Sequence, residues 1–285
     1  MPESLKQIKN RIRSIQNTKK VTNAMQMVSV AKLNRMNKAL FGLKSYFTGV
    51  ESVLTNLVNS KGEITNVYFR ESSLQEKCFL LCVITSDMGL CGLYNQNILR
   101  RADDFIKNNG RENVSLILVG QKGINHFKAK GFKILHTYAG LNGMYSPIVS
   151  DELAGIMADL FLAEKTGAVY IASTYFKNAI IQNAGVRKFL NIEIQKYPKT
   201  DYIMEQPFEG LLAKVTMKYI IAKIRMVLLE AFCSEHAARN LEMKSATDNA
   251  EELLEGLTLM RNKIRQANIT QEIMEIISSA EALRG

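Results

Sequence analysis

The stretch LNRMNKALFGLKSYFTGVESVLTNL (33–57) decides the architecture, because Leu33, Met36, Leu40, Leu43, Phe47, Val50, Leu54 and Leu57 recur at alternating steps of three and four. That spacing is a coiled-coil seam. Leu5, Ile8, Ile12 and Ile15 fall on the same register, while between them it is occupied by Lys19, Thr22, Gln26 and Ser29. The apolar Val21, Met25 and Val28 stand one position earlier, about 100° around a helix. The seam is therefore expected to be interrupted there.

Proline occurs only at Pro2, Pro147, Pro198 and Pro207, so residues 3–59 and 209–283 lack the strongest helix breaker. At about 1.5 Å per residue these helices would span roughly 80 and 110 Å and must support each other. In the C-terminal helix Leu253, Leu257, Met260 and Ile264 offer a matching seam, whereas 233–250 is small and polar. If the helices run antiparallel from a central domain, position 57 faces about 211 and position 25 faces about 243. The same arithmetic carries the last fifteen or so residues past the N-terminus, with Ile269, Ile273, Ile276, Ala280 and Leu283 on one stripe. That stripe is expected to have no partner within the chain.

Between the helices, short apolar runs alternate with helical ones: 78–85, 114–120, 132–138 and 168–176 read as strands, and 93–109, 121–130 and 150–166 as helices. Ser150, followed by Asp151 and Glu152, is the expected start of the last of these helices. The run 186–197 alternates and reads as an edge strand. The fold class expected is α/β: a long antiparallel coiled coil of N- and C-terminal helices carrying a Rossmann-like central domain with a mostly parallel sheet. The divisions are 1–59 for the N-terminal helix, 60–76 a linker, 77–198 the central domain, 199–208 a linker and 209–285 the C-terminal helix.

Composition narrows the function. The chain has 285 residues, is 47% hydrophobic and carries a net charge of +10, enough apolar content for a real core. It contains no membrane-length apolar stretch and no signal-peptide pattern at its N-terminus, so it is expected to stay on one side of the membrane. Cys78, Cys82, Cys91 and Cys233 lack metal-type spacing and read as buried thiols without a disulfide. The first forty residues hold nine Lys or Arg and the single acid Glu3, so that end calls for an acidic partner.

The motif SDMGLCG (86–92) is the one chemically suggestive turn: a buried strand ends in Asp87 and passes through two glycines into a helix, the place where open α/β sheets bind ligands. Cys91 near a helix start could be an activated thiolate. The plainer reading is a tight glycine turn around a buried cysteine, since no GxGxxG or GxxxxGKS loop accompanies it. His126, His136 and His236 lie in separate elements and read as surface or interface residues rather than triad members or metal ligands. The basic first helix could contact nucleic acid, but no aromatic precedes Phe41 to stack bases. The methionines Met25, Met27, Met36 and Met243 read as adaptable seam residues.

With the helices placed, SLKQIKNRIRSIQNTKKVTNAMQMVSVAKL (4–33), SEHAARNLEMKSATDNAEELLEGLTLMRNKIRQANITQEIMEII (234–277) and VITSDMGLCGLYN (83–95) resemble the gamma subunit of the rotary F-type ATP synthase. The resemblance implies a central rotor shaft that is not itself an enzyme, with ATP made in the beta subunits. It implies alpha, beta, epsilon and c-ring partners, no cofactor, no metal and no nucleic acid. It also implies a peripheral place at the cytoplasmic face of a bacterial inner membrane, and it answers both the basic first helix and the unpartnered stripe. By resemblance, Met25 lies beside an acidic loop of beta, Arg239, Gln266 and Thr270 match contacts with beta, and Tyr202 and Glu205 match a segment near the c-ring. Met88 stands where the family usually has Arg, and Leu93 where it usually has Gly. No cysteine-bearing insertion of the redox-switched chloroplast kind is present, so thiol regulation is not expected.

Overall fold

A computed structural model describes residues 4–60, 66–69, 78–163, 166–176, 178, 182–193 and 207–282. The N-terminal helix α1 is Leu5–Ser60 and the C-terminal helix α5 is Phe208–Ala282. The chain divides into two compact units, one of Met1–Val28 with Asn240–Gly285 and one of Ser29–Arg239.

In the first unit α1 and α5 are antiparallel: Thr22 bonds Thr247 at 2.8 Å and Lys19 bonds Glu251 at 2.8 Å. Thr22 was expected opposite about 246, so the register is off by one residue. The buried face of α1 runs through Leu5, Ile8, Ile12, Ile15, Lys19, Thr22 and Gln26, each buried or half-buried, whereas Val21 and Val28 are exposed. The seam is thus not interrupted. Polar side chains occupy it in unbroken register, and a hydroxyl can do so because the threonine that accepts in the pair has a carbonyl of its own helix within reach of its proton.

On α5 the seam differs from expectation. Leu257 and Ile264 are half-buried as expected, but Leu253 and Met260 point outward, and Ala250, Leu254 and Arg261 take the covered positions. A three-four alternation through Met243 and Ala250 demands Leu254 next, one residue after Leu253. Sequence spacing alone allowed either leucine.

The second unit holds a five-stranded sheet in the order β3-β2-β1-β4-β5. The strands are β1 Phe79–Ile84, β2 Val114–Val119, β3 Ile134–Tyr138, β4 Ala168–Phe176 and β5 Gln182–Leu190. Pairing is parallel except between β4 and β5. The connecting helices are α2 Tyr94–Asn109, α3 Gln121–Ala129 and α4 Pro147–Leu162. Alternation along β1 sends Leu81 and Val83 toward α2 and α3, and Leu80, Cys82 and Ile84 toward a core shared by α4, α1 and α5. In that core the expected seam residues Met36, Phe47, Leu54 and Leu57 are buried, Leu33, Leu40, Leu43 and Val50 pack against it, and Phe47 stacks on Tyr219 at 5.5 Å.

Two boundaries move. Helix α4 begins at Pro147 with Ser146 as its cap, accepting from Val149 N, because proline at the first helical position needs no donor. Ser150 is already inside that helix and donates to Pro147 O at 2.7 Å. The expected strand 186–197 lies earlier, at 182–190, as a hairpin partner of β4 in which Tyr175 pairs with Asn183. Gly185 breaks the side-chain alternation there and hides the start. No helix among the described residues is long and apolar enough to cross a membrane.

Candidate functional site

The loops at the carboxyl ends of β1 and β3 are where an open α/β sheet usually offers a ligand crevice. Here α5 enters that place. Arg239 donates from Nε to Gly89 O at 3.2 Å and from Nη2 to Met88 O at 3.3 Å, and its Nη2 pairs with Glu235 Oε1 at 2.8 Å. His236, 1% exposed, donates from Nε2 to Gly143 O at 2.9 Å. Its Nδ1 accepts from Arg239 Nη1 at 3.3 Å, which fixes the Nε2–H tautomer. Burial, together with Arg239 and Lys32 nearby, pushes the imidazole down to about 4, so it is neutral at ordinary pH. Burial raises the carboxyl of Glu235, an effect that Arg239 offsets in part.

Asp87 completes the set. Its two oxygens accept from Gln121 N at 3.0 Å and from Asn142 N at 2.7 Å, joining the first turn of α3 to the 139–146 loop. From α1, Lys32 Nζ donates to Asn142 O at 3.0 Å. Gly143, with φ +67°, must be glycine, because a Cβ would stand 2.5 Å from His236 Nε2.

Cys91 is 2% exposed and sits among Ser86, Asn95 and the Met88 carbonyl. Burial raises its thiol, the opposite of an activated nucleophile. The plain glycine-turn reading of 86–92 holds. His126 pairs with Asp103 at 2.9 Å and His136 is exposed, so the three histidines do not meet. His236 corrects the expectation of a surface or interface residue, since it is fully enclosed by its own chain. Among the described residues no cluster could hold a metal ion.

The residues expected to meet partners are scattered. Met25 is half-buried on α1. Gln266 and Thr270 are exposed one turn apart on α5, and the Thr270 hydroxyl donates back to Gln266 O at 2.9 Å. Arg239 is 6% exposed and engaged inside its own unit. Tyr202 and Glu205 lie outside the described residues, as does Leu283. Every described residue from Arg265 onward is exposed, including Ile269, Ile273, Met274, Ile276 and Ile277. An apolar helix end of this kind needs a covering surface.

Sequence reasoning singled out Asp87 but missed Lys32, Asn142, Gly143 and His236 as a set. The LNG turn at 141–143 was a visible turn signal. Nothing in the sequence linked it to a histidine 93 residues away.

An ATP synthase family model matches residues 4–283. The chain belongs to the ATP synthase gamma-chain family. It is 34% identical over 284 residues to the gamma chain of Pelotomaculum thermopropionicum, covering 98% of this chain and 99% of that one. It is 35% identical over 290 residues to the gamma chain of Heliobacterium modesticaldum, again covering 98% and 99%. In structure it resembles a chain of the Euglena gracilis mitochondrial ATP synthase, solved with OSCP, F1 and c-ring, with a TM-score of 0.68 at 16% identity over 98% of this chain and 94% of that one. A second likeness is to the central stalk and c-ring structure of the Tetrahymena thermophila mitochondrial enzyme, with a TM-score of 0.61 at 23% identity over 79% and 99%. For this gamma-family chain, Met88 and Leu93 are both exposed, so the departures from the family pattern fall on the surface of the central domain.

Proposed function

We propose that the chain is the central rotor shaft of an F-type ATP synthase, carrying c-ring rotation to the catalytic beta subunits and so coupling ion flow to ATP synthesis. The full-length match to gamma chains carries this reading. The exposed apolar end of α5 supports it, since a sleeve formed by alpha and beta subunits is the kind of surface that would cover it. The chain itself has no catalytic role in this scheme: the chemistry belongs to beta, and the shaft changes which beta site is favoured by presenting a different face to each.

Met25, Gln266 and Thr270 are assigned to contact with beta, and Tyr202 and Glu205 to the side of the c-ring. Arg239 would act on beta at second hand, by holding the 88–89 loop. The place proposed is peripheral, on the cytoplasmic face of a bacterial inner membrane. The basic first helix then faces acidic protein surface and no nucleic acid.

The test is assembly. The chain, co-expressed with alpha and beta subunits of a bacterial relative, should co-purify with them as an ATPase, and a bead fixed to it should rotate when ATP is added. A complex that hydrolyses ATP while the bead stands still, or a chain that never joins the ring, would refute the rotor reading.

A further inference from the structure

We propose that a closed ring of hydrogen bonds, running Asp87–Asn142–Gly143–His236–Arg239–Met88, is the torsional key that makes the sheet and the helices packed on it turn as one body. The proposal rests on the rotor reading and assigns that role to particular residues. All of them lie between Ser29 and Arg239, within one compact unit.

The path closes on itself. Asp87 accepts from Asn142 N; the adjoining Gly143 carbonyl accepts from His236; His236 accepts from Arg239; and Arg239 donates to the carbonyl of Met88, the residue next to Asp87. Lys32 ties α1 to the ring at Asn142 O, and Gln121 ties α3 to it at Asp87. One closed circuit therefore joins α5, α1, α3 and the two loops leaving β1 and β3.

Its chemistry differs from that of the rest of the contact. The sheet meets the two long helices mainly through an apolar core. Apolar burial resists separation but has no preferred direction, so it resists twisting of a helix about its own axis poorly. Hydrogen bonds weaken steeply with angle, and those made by charged donors are the strong ones. Tyr94 to Ala231 O at 3.0 Å is a single further tie from α2. Arg225 also pairs with Asp151 of α4 through Nε at 2.9 Å and Nη2 at 2.7 Å, a half-buried pair that ties α5 to α4 alone and closes no circuit with the loops leaving β1 and β3. The ring is multiply connected and buried on the side of His236, Gly143 and Arg239, while its Asp87–Asn142 side is exposed, and a Cβ on Gly143 would stand 2.5 Å from His236 Nε2.

The experiment measures stiffness. Complexes with alpha and beta are fixed to a surface through the ring, and a bead is attached through a cysteine placed at exposed Lys128, with Cys78→Ser in every variant. The variants are Gly143→Ala, the pair Lys32→Met with Asp87→Asn, the conservative His236→Gln, and Met157→Ala as a core control away from the ring. Only variants whose free chain melts cooperatively are taken forward.

Without nucleotide, the variance of the bead angle should widen about twofold or more in Gly143→Ala and in the Lys32/Asp87 pair, a network loss larger than single bonds imply. It should stay at the parental value in His236→Gln, which keeps the donor to Gly143 O, and in Met157→Ala despite that variant's lower melting temperature. Unchanged variance in both ring-breaking variants overturns the proposal. So does broadening that simply follows the melting temperature, Met157→Ala included. Failure of the parental complex to rotate with ATP is a separate result and removes the rotor reading itself.

Discussion

Thr22 of α1 and Thr247 of α5 share a hydroxyl–hydroxyl hydrogen bond of 2.8 Å inside the helix pair. Thr22 is buried, and each hydroxyl lies within reach of a carbonyl of its own helix, Lys19 O or Met243 O, so whichever accepts in the pair can donate its own proton there. Replacing both by valine removes the two hydroxyls together and keeps the shape, so stability of the free chain should change by less than about 1 kcal/mol. Thr22→Val alone leaves Thr247 its Met243 partner and should cost no more than about 1 kcal/mol. Urea unfolding of the two variants beside the parent decides it. A loss of several kcal/mol in the double variant would mean that the pair organises more of the helix contact than its own bonds.

The exposed end of α5 should matter only in the assembly. Deleting 273–285 removes Ile273, Met274, Ile276 and Ile277, which are 50%, 59%, 67% and 52% exposed in the chain. The melting temperature of the free subunit should barely move. The complex with alpha and beta should loosen, since each isoleucine contributes about 1.5–3 kcal/mol to whatever surface covers it. A free subunit that melts markedly earlier, with assembly intact, would show that the stripe is covered by its own chain.

His236 should leave a mark on stability in acid. Its imidazole is held down to about 4 against an ordinary 6.5, so between those values the unfolded chain binds a proton that the folded chain refuses. Its contribution is complete above about pH 6.5 and is lost as pH falls toward 4, by at most about 3 kcal/mol. Glu235 has the opposite sign, because a raised carboxyl gains stability as pH falls, and Arg239 and Lys32 are the cations that face both groups. His236→Gln keeps the bond to Gly143 O without the titration. Its urea midpoint should fall less than that of the parent between pH 7 and pH 4.5, and equal falls would contradict the assignment.

Gly120 leads β2 into α3 at φ +94°, and a Cβ there would lie 2.2 Å from Thr85 O. Backbone cannot yield that far without opening the β1–β2 pairing. Gly120→Ala should destabilise the free chain by about 3 kcal/mol or more, measured by chemical unfolding. A cost below about 1 kcal/mol would mean the turn can be rebuilt.

Thiol titration of the native chain should find Cys78 fast and Cys82, Cys91 and Cys233 slow until unfolding, since only Cys78 is exposed. Burial pushes the thiols of Cys82 and Cys233 up to about 12. Cys91→Ala should leave the ATPase of the assembled complex largely intact. Fast labelling of Cys91, or loss of that activity, would reopen the thiol-enzyme reading.

The sequence by itself determined the two long helices, their antiparallel register to within a residue or two, the parallel sheet and the bare apolar end of α5. Those features follow from periodicity and from missing prolines, which act over a few residues along one chain. It could not determine that Thr22 and Ser29 would lie inside while Val21 and Val28 face outward, because period alone cannot rank a short polar stretch against its apolar neighbours when the partner helix is unknown. Nor could it choose Leu254 over Leu253. The ring around His236 was decided only by tertiary structure: Asp87, Asn142 and Arg239 become neighbours through the sheet topology, and hydrogen bonds between residues so far apart leave no periodic trace in the chain.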